Sequence, residues 1–161
     1  MARTTTDHTI VVQSALLSGV VRQEEVGTGS IYPGLMLMHD LNGYVAIHNV
    51  DTGANSGMVA LESQTPDTNT YPTTASTEIP YTDHDTVYYA FAMPGDIMQV
   101  RLKSGSTVVK GRTWLGNDGN GQLKAIGTEG MPTTVGTSNP VGVAWESIAS
   151  CGSGALCRVK F

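Results

Sequence analysis

The chain has 161 residues, 9 basic and 14 acidic, for a net charge of −5, and only 14% of it is charged. An ordinary domain carries about 25%. An acidic balance gives no electrostatic footprint for nucleic acid, and no apolar run approaches the roughly 20 residues that span a bilayer. The length fits one domain with a sizeable core. The 19 glycines, with abundant Thr, Ser and Asn, favour strands and turns over helices.

Residues 1–12, opening "MARTTTDHTIVV", read as a flexible N-terminal arm, polar first and then β-branched at Ile10, Val11 and Val12. They contain no basic region followed by an apolar core, so no signal peptide is expected, and the protein is expected in the cytosol unless it leaves as part of a particle. Residues 13–161 read as a single β domain. The stretch 8–25 holds no clean 3.6-residue period, and its Val-Val pairs favour extended structure. Strands are expected near 31–39, 43–49 and 57–62. Residues 63–82 are rich in Thr and Pro and read as a long loop. Thr86 to Ala92 is a dense run of β-formers, Pro94-Gly95-Asp96 marks a turn, and Met98 to Lys103 alternates apolar and polar. The final strand, "ALCRVKF", puts Ala155, Cys157, Val159 and Phe161 on one face. Nine or ten short strands without a convincing helix predict an all-β fold, a small antiparallel sandwich or barrel-like domain with an extended arm.

One phrase occurs twice. "MVALES" at 58–63 returns as "GVAWES" at 142–147, with the Val, Ala, Glu and Ser conserved between copies. Upstream of each copy lie a Gly, a short apolar strand, a polar turn closed by Gly, and a second alternating strand. Gly34 corresponds to Gly111, and Gly43 to Gly121. The offset changes only within loops, as a shared strand frame tolerates. Two related units are therefore expected, 31–63 and 108–147, with Val59, Ala60, Val143 and Ala144 in their cores.

Catalytic grammar is sparse. There is no G-x-S-x-G elbow and no phosphate loop. "GNDGNG" has the look of half a calcium loop but lacks the downstream acid, so a hairpin turn is the reading. Asp83-His84-Asp85 and His48 to Asp51 are loop-edge clusters with little claim to a metal, and no cofactor is expected. Glu62 and Glu146 occupy equivalent places in the two units. They form either a two-carboxylate site or a pair of structural carboxylates that accept backbone N–H groups, the favoured reading. Trp114, Trp145 and the tyrosines suit either a sugar-binding face or the core, where such residues more often lie. Cys151 and Cys157 flank a Gly-Ser-Gly turn, so a hairpin disulfide is geometrically open, with two reduced thiols favoured.

The second half resembles the head decoration (cement) proteins of tailed bacteriophages. The residues that carry this are Leu102, Gly105, Val108, Gly111, Leu115, Gly121, Leu123, Val141-Gly142-Val143-Ala144, Glu146, Gly154 and Arg158-Val159. Arg112 stands where such chains often have Asp after the Gly, and the 63–82 loop has no counterpart. The resemblance implies a non-enzymatic protein that binds the outer capsid surface, bridges major capsid protein subunits and stabilises the head. It also implies a homotrimer, host cytoplasm before assembly and the virion afterwards, with no direct nucleic-acid or membrane contact. Residues Thr9, Ile10, Val11 and Val12 would then form a capsid-binding arm by adding a strand to a capsid sheet. The alternative is a virion-surface carbohydrate- or receptor-binding β module.

Overall fold

The computed structural model describes residues 10–13, 22–51, 56–62, 76–127 and 139–161. Among these it is all-β, as the strand-and-turn composition predicts. Eleven strands run β1 (Val11–Gln13), β2 (Arg22–Val26), β3 (Met36–His39), β4 (Val45–Ile47), β5 (Met58–Ala60), β6 (Thr86–Phe91), β7 (Ile97–Arg101), β8 (Trp114–Asn117), β9 (Leu123–Gly127), β10 (Gly142–Ala144) and β11 (Leu156–Lys160). A 3-10 turn at Ser76–Glu78 precedes β6.

Two sheets result, ordered β2-β6-β5-β3-β4 and β1-β7-β11-β10-β8-β9. Each curls on itself. In the first, a parallel bridge joins Gly27, just after β2, to Val45 in β4; in the second, a parallel bridge joins Leu102, just after β7, to Leu123 in β9. Leaving β1 aside, both rings follow the order first, fifth, fourth, second, third strand. Their registers correspond ladder by ladder. Arg22–Ala90 matches Ile97–Lys160, Val59–Ala90 matches Val143–Lys160, and Met36–Val59 matches Trp114–Val143. Leu37–Ile47 matches Leu115–Ala125. The turns match too. Asp40 Oδ1 accepts the N–H groups of Asn42 (2.8 Å) and Tyr44 (2.9 Å), and Asp118 Oδ1 accepts those of Asn120 (2.8 Å) and Gln122 (3.1 Å). We call residues 22–91 the first barrel and 97–161 the second.

The barrel interiors fill with alternate residues of each strand. The first holds Leu37, Val45, Met58, Ala60, Val87 and Tyr89. The second holds Leu115, Leu123, Ala144, Cys157 and Val159 at the corresponding positions, where Gly142 replaces Met58. A Cβ on Gly142 would lie 2.6 Å from the Lys160 carbonyl oxygen. The outer face of the first barrel, at Met36, Val59 and Ala90, joins the same buried cluster as Ile10 and the interior of the second barrel.

Two expectations are corrected here. Val59, Ala60 and Ala144 are fully buried, but Val143 is only half-buried. Side chains alternate across a strand, so Ala144 takes the interior of the second barrel and Val143 turns outward. The second correction concerns only the described end of the arm, from Ile10 onward; residues 1–9 lie outside the described residues. Ile10 is buried, its carbonyl accepts the Gln99 N–H at 2.7 Å, and Val11 pairs with Met98 on the edge of β7. The β-branched run finds its edge strand within its own chain. Thr9 lies outside the described residues, as do residues 63–75 of the Thr/Pro-rich loop.

Candidate functional site

Glu62 and Glu146 each follow the fourth strand of their barrel, β5 and β10, and each anchors backbone. Glu62 Oε1 accepts the Ile10 N–H at 2.9 Å, and Glu146 Oε1 accepts the Arg158 N–H at 2.7 Å. The carboxylates hold different segments in place: the arm in one barrel, β11 in the other.

The metal candidates stay apart. Asp83 accepts the Gly29 N–H at 2.8 Å and pairs with His84 Nδ1 at 3.0 Å. Asp85 accepts from Thr82 N and Oγ1 at 2.7 Å. Asp51 pairs with Lys124 at 2.5 Å, and His48 is buried. Among the described residues no three ligating side chains converge. Cys151 and Cys157 are free and buried. Burial, then the nearby Glu146 carboxylate, pushes the Cys157 thiol up to about 12, so it stays protonated at neutral pH and is disfavoured as a nucleophile.

A polar chain links three strands of the first barrel, β2, β3 and β6. Tyr89 OH donates to Glu25 Oε1 at 2.6 Å, and His39 Nε2 meets Glu25 Oε2 at 2.7 Å. These two bonds hold the Glu25 carboxyl below its ordinary range. Burial, reinforced by Glu25, raises Tyr89 to about 12. A tyrosine so hard to ionise is a structural donor rather than a base.

The second barrel carries an open groove of about 430 Å3 on its outer face, lined by Gly111, Trp114, Val143, Trp145, Lys160 and Phe161 among others. Both tryptophans of the chain lie here, half-buried. This departs from the expectation that they are core residues. Lys110 and Lys160 sit over the Trp145 ring at 5.3 and 4.9 Å from its centroid, a cation–π arrangement that keeps two positive charges at the rim. The corresponding residues of the first barrel are Met36, Val59, Leu61 and Ala90, all buried. Sequence reading missed this surface because the aromatic residues were weighed by type, without the register that turns each of them outward.

The described residues contain no helix long and apolar enough to cross a membrane. The chain matches no protein-family model and no curated protein sequence. Among solved structures it is similar to the N base of the head fiber protein gp8.5 of bacteriophage phi29, at 13% identity and a TM-score of 0.52, over 89% of this chain and 94% of that one. The likeness shows a shared fold spanning both barrels.

Proposed function

We propose that this chain is a structural protein of a phage head, a decoration (cement) protein that docks on the outer capsid surface, bridges neighbouring capsid subunits and works as a homotrimer. The observation that carries the reading is the fold shared with a phage head fiber base along nearly the whole of both chains. The residue pattern from Leu102 to Val159 points the same way. The carboxylates Glu62, Glu146, Asp83 and Asp85 act as anchors of backbone and loops, which suits a protein whose surfaces matter more than any reaction centre. The expected compartment is the virion exterior, after synthesis in the host cytoplasm.

The carbohydrate-binding alternative draws on the Trp114–Trp145 groove. Among the described residues its lining holds one charged side chain, Lys160, and no side-chain carboxylate or amide to read sugar hydroxyls, whereas glycan recognition needs placed polar groups. The capsid reading is therefore preferred. Purified protein mixed with phage heads that lack it should co-sediment saturably, at a copy number set by the lattice symmetry of the head. Failure to co-sediment, together with strong hits on a glycan array, would replace this reading with the alternative.

A further inference from the structure

The junction between the two barrels is used once and left open once. In the first barrel Gly34 donates to the Ala60 carbonyl at 2.9 Å, and in the second Gly111 makes the corresponding bond to Ala144 at 2.8 Å. Their surroundings differ. A Cβ on Gly34 would lie 2.7 Å from Leu156 Cδ2, 3.3 Å from the Gln99 carbonyl oxygen and 3.4 Å from Ile10 Cδ1, whereas one on Gly111 would meet nothing within 4 Å. The flank of the second barrel that covers Gly34 also supplies Arg101, whose N–H donates to Gly34 O at 2.9 Å and whose Nε donates to Pro33 O at 2.9 Å. The contact is thus heterologous, joining one face of the first barrel to a different face of the second. Each barrel retains the half that the other uses.

Both unused halves are exposed, and they are complementary. On the second barrel the open half is the groove of Gly111, Trp114, Val143 and Lys160. On the first barrel the register places Glu24, Val26 and Thr86 where the second has Gln99, Arg101 and Leu156. All three are exposed, Val26 at 41%. Charge separates in the same sense. Residues 22–91 contain nine carboxylates and one arginine, while residues 97–161 contain seven Lys or Arg and three carboxylates.

We propose that the chain self-associates head to tail, with the Glu24–Val26–Thr86 flank of one copy seated in the Trp114–Lys160 groove of the next. The occupant is a second copy because the chain itself supplies both the acidic flank and the basic aromatic groove, in the places where its own two barrels already meet. A heterologous contact closes into a ring when the rotation permits and otherwise extends as a filament. The inference stands on the barrels alone and does not depend on capsid binding, since free protein tests it.

Sedimentation velocity on the full chain over a concentration series is the experiment. Association should rise with concentration and weaken with added salt, because the contact is partly electrostatic. Glu24→Lys on the flank and Trp114→Ala in the groove should each weaken it by at least roughly tenfold. Lys160→Ala serves as the groove variant if Trp114→Ala fails to fold. Mixing the flank variant with the groove variant should give a heterodimer, because one intact flank then meets one intact groove. A wild-type protein that stays monomeric throughout, variants that associate unchanged, or a mixture that yields no heterodimer would overturn the proposal.

Discussion

Val59 and Val143 hold the same register position in the two barrels, and only Val59 is buried. Val59 pairs with Met36 and Ala90 at 0% exposure, while Val143 pairs with Trp114 and Lys160 and lines the open groove. Val59→Asp should cost on the order of 4 kcal/mol or prevent folding, since an unpaired carboxylate would be sealed between the barrels. Val143→Asp should change stability by no more than about 1 kcal/mol. Denaturant melts of the two variants check this, and equal losses would contradict the assigned faces.

The repeated VAxES phrase led to three of the five strands in each barrel, and the Gly-closed turns led to the hairpins that precede them. β2 with β6 and β7 with β11 were legible as strands but not as counterparts. Their sequences, "RQEEV" against "IMQVR" and "TVYYAF" against "LCRVK", share little. Only ladder register reveals their equivalence, and register is fixed by long-range pairing that no local window contains. For the same reason Val143 was expected in the core. Alternation says which residues share a face, not which face meets the rest of the molecule.

The arm residue Ile10 should behave as core. It is fully buried, and its amide is held by Glu62. Ile10→Ala should cost about 2–4 kcal/mol through the cavity it leaves. Removing residues 2–12 should lower the melting temperature of the whole domain by several degrees, about what a loss of this size gives. A truncated protein that melts with the intact one would show that β1 is dispensable.

Arg101 stitches the barrels together. It is 5% exposed, and its guanidinium donates to Pro33 O at 2.9 Å, to Gly154 O at 2.7 Å and to the Thr77 carbonyl, and it pairs with Glu78 at 3.2 Å. Truncation to Ala would leave several buried carbonyls without donors and should cost about 3 kcal/mol or more. Arg101→Lys should recover little of that, because one ammonium cannot reproduce the planar fork. Comparison of the two variants by chemical denaturation separates loss of charge, which Lys restores, from loss of geometry, which it does not.

Alkaline unfolding should report two buried protons. Cys157 is raised from an ordinary 9.0, and Tyr89 from an ordinary 10.0, each to about 12. Both groups therefore keep their protons in the fold at pH values where the unfolded chain has lost them. With fewer protons bound in the unfolded state, stability falls as pH rises. The decline should begin near pH 9 through Cys157, steepen above pH 10 as Tyr89 joins, and level off near 12. Each group contributes a slope of up to about 1.4 kcal/mol per pH unit. The acid side runs the other way. Glu25 is held low by the Tyr89 and His39 bonds, so its contribution is present above the ordinary carboxylate range and is lost as pH falls through its depressed value. Tyr89→Phe removes the second alkaline step together with the Glu25 bond. The variant should be about 1–2 kcal/mol less stable at neutral pH and should show a shallower slope above pH 10. Urea titrations across the pH range measure both effects, and an alkaline slope that Tyr89→Phe leaves unchanged would mean that other groups carry it.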